Sequence, residues 1–204
     1  MLIDPINMLQ LMGKDIKSFP LPNIGDTYDT GSGIPREIFE ESSIVPSADD
    51  VVLSESLNDE QRAAYDEIMS TIDTDEGGLF FVDGPGGTGK TFLYSALLAR
   101  VCGENKLAVV TATSGLAASI MPGGRTTHSR FKIPLIIEDG GCCSFTKQSG
   151  TAKLQRRTSL IIWDEATMTK RKVVEALDKS LRDIMDQSEL PFGGKTVVFG
   201  GDFR

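Results

Sequence analysis

The run Gly84-Pro85-Gly86-Gly87-Thr88-Gly89-Lys90-Thr91 has the residue types and spacing to hold a polyphosphate. Glycines let consecutive backbone N–H groups turn inward around phosphate oxygens, where a Cβ would clash. Lys90 is spaced to reach the β and γ phosphates, and the Thr91 hydroxyl to hold Mg2+. A second chemical element follows in Leu160-Ile161-Ile162-Trp163-Asp164-Glu165, an apolar run ending in two carboxylates. After a phosphate loop, that pair suits metal-assisted attack of water on a phosphate. Asp164 would hold the Mg2+ shell, and Glu165 would orient and deprotonate the water. Lys90 and Glu165 are therefore the candidate catalytic residues.

Two further groups could recognise the rest of a ligand. The Gln61 amide can donate and accept at once, which suits the edge of an adenine ring, or it can simply close a helix N-terminus. Residues 123–132 place hydroxyls, cations, Phe131 and the chain's only histidine close together. Such a mix suits phosphate contacts and base stacking on single-stranded nucleic acid, and equally suits a polar turn with His128 bonded inside it.

These groups need elements to position them. Leu79-Phe80-Phe81-Val82 reads as a strand into the loop, and Phe92 to Val101 as the helix after it, with Gly103 as its C-terminal cap. The dipole of that helix points its positive end at the phosphates. Leu107 to Ala112 and Thr196 to Phe199 read as buried parallel strands. Asn58 with Gln61 forms a capping-box pattern before an apolar stripe at Ala63, Ala64, Ile68 and Ile72. Small residues 116–121 predict a short helix. Residues 171–187 predict an amphipathic one, with Glu175–Lys179 and Asp178–Arg182 as supporting pairs. Residues 135–158 read as an insertion, extended over 136–143. Residues 1–56 read as a partly irregular arm carrying one short helix at 36–41 and loop punctuation at 20–23 and 29–35.

Composition sets bounds. The 204 residues suffice for one domain with an appendage, and no apolar run approaches a membrane span. Net charge is −8, yet residues 111–163 carry 7 basic and 2 acidic side chains, so a polyanion can meet a basic surface. Three cysteines without metal-ligand spacing imply a reducing compartment.

Taken together, five stretches resemble the Pif (petite integration frequency) family of superfamily-one DNA helicases. They are Leu57 to Gln61, Gly84 to Thr91, Thr111 to Ser129, Trp163 to Ala166 and Phe199 to Arg204. Gly13 to Ile16 with Phe19 to Pro22 is similar to the lead-in of the plant and Helitron-transposon branch. The resemblance implies an α/β, RecA-like P-loop NTPase domain over residues 57–204, with a parallel central sheet flanked by helices. It implies ATP and Mg2+ as ligands. Gln61 then reads adenine, Gly84, Pro85, Gly86, Gly87, Thr88, Gly89, Lys90 and Thr91 cradle the phosphates, and Thr91 with Asp164 holds the metal. Thr113, Ser114, Thr127, His128 and Arg130 fall on single-stranded DNA. The implied activity is ATP-driven 5′-to-3′ unwinding, in the nucleus or a mitochondrion, in repair, recombination or telomere maintenance. The family's γ-phosphate-sensing glutamine, due after Arg204, and its second motor lobe have no counterpart here. The expectation is thus a first motor lobe with little activity alone, or a nucleotide-binding module without motor function.

Overall fold

The computed structural model describes residues 34–44 and 52–203. The chain divides after Gly33, and all described residues belong to the unit Ile34–Arg204. The lead-in motif at 13–22, the punctuation at 20–23, most of that at 29–35, and Arg204 lie outside the described residues.

Five strands form one all-parallel sheet in the order β1-β5-β4-β2-β3. They are β1 (Gly78–Asp83), β2 (Leu107–Ala112), β3 (Arg125–Thr126), β4 (Thr158–Asp164) and β5 (Thr196–Gly201). Among the described residues, seven α-helices connect or flank them: α1 (Arg36–Ser42), α2 (Asp59–Thr74), α3 (Lys90–Gly103), α4 (Gly115–Ile120), α5 (Thr127–Arg130), α6 (Gly150–Arg157) and α7 (Arg171–Met185). The expected α/β architecture with helices on both faces is therefore present. Among the described residues, no helix is long and apolar enough to cross a membrane.

The period-two alternation of strands builds two cores from one sheet. Ala108, Val110, Leu160, Ile162 and Val198 face α2 and α3, against Tyr65, Ile68, Leu93, Leu97 and Val101. Val109, Ile161, Trp163 and Val197 face the other way, against Phe131, Leu154, Leu177, Leu181 and Ile184. Because both faces are covered, the central strands read as continuous apolar runs. β1 differs. Among the described residues it pairs with β5 alone, and its outward residues Leu79 and Phe81 are exposed.

Helix starts follow their caps. Asn58 accepts from the Gln61 amide at 2.8 Å, and Gln61 Oε1 accepts from the Asn58 amide at 3.1 Å, the expected reciprocal box. Ser114 and Ser149 cap α4 and α6 by single bonds, accepting from the Ala117 and Ala152 amides.

Three expectations need correction. Gly103 is the last residue of α3, with Glu104 as the C-cap, and the left-handed residue comes at Asn105. Glu175 pairs backwards with Arg171 at 2.6 Å, while Lys179 donates to the Gly140 carbonyl; only Asp178–Arg182 forms as read. Residues 136–143 form no strand. Their backbone bonds go into a turn (Gly141 N to Glu138 O) and onto α7 (Cys143 N to Ser180 Oγ), so no neighbouring strand is paired. The rest of that insertion closes with α6.

On α1, Glu40 pairs with Arg125 at 2.6 Å, and Glu41 is buried against Arg130, whose guanidinium also donates to the Gly123 carbonyl at 2.7 Å. Burial pushes the Glu41 carboxyl up, and the facing guanidinium offsets this only in part.

Candidate functional site

β1 ends at Asp83 and β4 at Asp164, both at the carboxyl edge of the sheet, where open parallel sheets bind ligands. β5 lies between them. Two strand spacings separate β1 from β4 by about 10 Å, room for a phosphate chain and a cation between the loop and the carboxylates.

The loop leaves β1 with the Gly84 amide donating to the Gly201 carbonyl at 3.1 Å. Gly87 and Gly89 both have φ of +86°, a left-handed conformation that favours glycine. Space opens over Gly86 and Gly87: a Cβ on either would meet nothing within 4 Å. Lys90 opens α3, and its ammonium donates to the carbonyls of Gly84 and, at 3.1 Å, Pro85.

Two cavities flank this loop and share Gly89 and Lys90. One, of about 430 Å³, is lined by Asn58, Gln61, Ala64, Phe81, Val82 and Gly84 to Lys90 in part. Gln61 Nε2 lies 3.4 Å from the Gly89 carbonyl, so its amide bridges the helix cap and the loop. Phe81 stacks on Phe203 beside this cavity, with ring centroids 4.4 Å apart. The other cavity, of about 630 Å³, brings Gly86, Gly87, Lys90 and Thr91 together with Asp164 and Glu165. The two halves of the expected chemistry therefore meet in one place.

Glu165 sits in a left-handed conformation, φ +54°, which costs a non-glycine residue free energy. Its Oε2 is buried without a hydrogen-bond partner. Tyr94, fully buried, turns its hydroxyl beside Asp164; burial first, then the charge of Asp164, raises that phenol above its ordinary range. Gly200 makes this approach possible, because a Cβ there would collide with the Tyr94 hydroxyl and come within 2.8 Å of Asp164 Oδ1. Gly200→Ala is expected to cost about 1–3 kcal/mol of stability through this overpacking. Urea unfolding of the variant beside the unsubstituted chain measures it. Sequence reading gave neither residue a role of its own: Tyr94 fell within the helix after the loop, and Gly200 within the Phe199 to Arg204 stretch.

The candidate nucleic-acid residues are placed differently from the expectation. Thr113 Oγ1 bonds the Glu165 carbonyl, Ser114 Oγ caps α4, and the buried Thr127 hydroxyl donates to the Ala112 carbonyl at 3.1 Å. Arg130 is buried in its pair with Glu41, so it presents no charge to a phosphate. His128 is half-buried, and among the described residues it alone of the five has no such internal bond from its side chain.

With this geometry in place, comparison with known proteins decides the family. A family model described as PIF1-like helicase matches residues 56–204. The chain belongs to the PIF1-like helicase family. The ATP-dependent DNA helicase PIF1 of Trypanosoma brucei brucei is 30% identical over 159 residues, covering 76% of this chain and 15% of that helicase. PIF3 of the same organism is 32% identical over 127 residues, 62% of this chain and 15% of its own. Among solved structures, Pif1 helicase from Bacteroides in complex with ADP-AlF3 and ssDNA is similar at 31% identity, TM-score 0.58, over 72% of this chain and 32% of that one. Unliganded Bacteroides Pif1 gives 33% identity and TM-score 0.54, over 72% and 31%. The chain thus spans less than a fifth of these curated relatives and about a third of the solved ones.

Proposed function

We propose that this chain binds Mg-ATP as the first motor lobe of a 5′-to-3′ DNA helicase. The observation that carries the proposal is the single cavity shared by the phosphate loop, Thr91, Asp164 and Glu165. A Bacteroides relative solved with ADP-AlF3 and ssDNA supports it.

The residues fit the ligands. Gly86 and Gly87 leave the loop open to phosphate oxygens, and Lys90 exchanges its loop carbonyls for them. Among the described residues, no group of three or more His, Cys, Asp or Glu could hold a metal. One carboxylate and one hydroxyl instead suit Mg2+, which keeps waters and takes phosphate oxygens as ligands. Thr91 and Asp164 would hold it, and it would neutralise charge on the transferring phosphoryl group. The unpartnered Glu165 Oε2 can accept from a water and orient it for in-line attack, taking its proton as the bond to phosphorus forms. Gln61 lines the neighbouring cavity, where an adenine ring would lie beside Phe81. Single-stranded DNA passes the α4–α5 side of the lobe, near His128. Efficient turnover and unwinding draw on residues beyond the span matched here.

Calorimetric titration with Mg-ATP tests the reading. Association is expected for the unsubstituted chain, and Glu165→Gln should bind alike while losing any residual hydrolysis. No heat of association, in the presence of magnesium, sinks the proposal. Binding without DNA-stimulated hydrolysis, even when a complete second lobe is added in trans, favours a nucleotide-holding module.

A further inference from the structure

We infer that Thr113 is a positioning residue for hydrolysis, its hydroxyl holding the backbone of Glu165 in the conformation that presents the carboxylate to the cavity. This rests on the proposed role of Glu165.

Three groups converge on the Thr113 hydroxyl. The Glu165 carbonyl lies at 2.8 Å, Thr169 Oγ1 at 2.7 Å and Trp163 Nε1 at 3.3 Å. A hydroxyl has one proton to give and two lone pairs to fill. Trp163 N–H can only donate and the Glu165 carbonyl can only accept, so the proton of Thr113 goes to Glu165. Thr169 then donates into the remaining lone pair, and the hydroxyl is fully used. It has no proton left for a nucleic-acid phosphate.

The object of this bond is a strained residue. Glu165 holds φ +54° and ψ +33°, where a side chain crowds its own backbone. Such a conformation persists only where the surroundings over-determine it. Two bonds converge on the Glu165 carbonyl, from Thr113 and from the Met168 amide. The Thr113 amide also donates to the Asp164 carbonyl at 3.2 Å. Thr113 therefore extends β2 by one residue and clamps both carboxylate-bearing residues from the adjacent strand. Removing only the hydroxyl leaves the β-sheet and the loop intact but frees the Glu165 peptide to relax.

Thr113→Val and Thr113→Ser in the full chain provide the test, with ADP, magnesium and aluminium fluoride as the probe of the hydrolytic geometry. A fluorescent ADP analogue reports affinity with and without aluminium fluoride, and single-turnover cleavage at saturating ATP reports rate. Thr113→Val is expected to bind Mg-ADP within about twofold of the unsubstituted chain. Its extra affinity in aluminium fluoride, and its cleavage rate, should each fall about tenfold, as for one hydrogen bond felt at the transition state. Thr113→Ser keeps the proton and should recover most of both. Equal aluminium fluoride discrimination in Thr113→Val overturns the inference. So does a serine variant as impaired as the valine one, or a loss confined to ADP or to single-stranded DNA affinity. If Thr113→Val fails to fold, Thr169→Val carries the same test, since it removes the hydroxyl that helps orient Thr113; no loss of discrimination there overturns the inference too. Glu165→Gln separates the two levels. If it keeps the discrimination, or the unsubstituted chain shows none, the reading of Glu165 fails and this inference with it. If Glu165→Gln loses the discrimination and Thr113→Val keeps it, only the role of Thr113 falls.

Discussion

Lys90→Ala should weaken Mg-ATP binding about 30- to 100-fold, measured by calorimetry at fixed ionic strength. Charge-assisted bonds from an ammonium to phosphate are worth about 1.5–3 kcal/mol each. Two phosphates in reach would give a larger loss, but the comparison is not with a free cation. Lys90 donates to the carbonyls of Gly84 and Pro85, and contacts to phosphate compete with those bonds. The net gain is therefore the lower part of the gross one. The fold should survive, because alanine is the best helix former and a cation at a helix start opposes the dipole. Unchanged affinity in a folded Lys90→Ala chain removes the phosphate assignment of the loop.

Arg130→Ala is expected to destabilise the domain by about 3–5 kcal/mol, a large part of the stability of a typical domain. The reason is the partner left behind. Glu41 is buried, its carboxyl is already pushed up by burial, and the guanidinium is what compensates its charge. For a domain of this size the midpoint of thermal unfolding should drop by about 6–20 °C. Replacing both partners together, Glu41→Leu with Arg130→Met, removes the uncompensated charge and should cost far less than either single change. Urea unfolding of the two single variants and the double one forms the cycle. Additive losses would show that the pair is not coupled.

The parts of this molecule visible in its sequence are those whose cause is local. Strands β2 and β4 stood out because burial on both faces leaves continuous apolar runs such as Leu160 to Trp163. The loop and the Asp164–Glu165 pair stood out because their chemistry is compressed into neighbouring residues. The capping of α2 by Asn58 and Gln61 is likewise a matter of three positions. What could not be read depends on distant registers. Whether the hydroxyls of Thr113 and Thr127 face a ligand or the protein is decided by how β2 lies against β4 and how α5 returns to Ala112. Arg130 read as a surface cation because its partner, Glu41, comes from a stretch that resembled an irregular arm. Tyr94 read as one more apolar position of α3, and only the bare Cα of Gly200 shows why its hydroxyl can reach Asp164. Local chemistry thus marked out the loop and the carboxylate pair, while the internal bonds of Thr113, Thr127 and Arg130 come from tertiary contacts that no local pattern announces.

The position of β1 has a mechanical consequence. Among the described residues, the strand from which the glycine-rich loop hangs is braced on one flank only, with Leu79 and Phe81 exposed. Backbone groups along an edge of that kind can pair with another strand. Whatever docks there grips the loop's anchor, and so tunes how readily the loop can be bent around a phosphate. In this domain an edge strand and the most demanding ligand are joined end to end, so stiffness added at the rim is felt at the nucleotide.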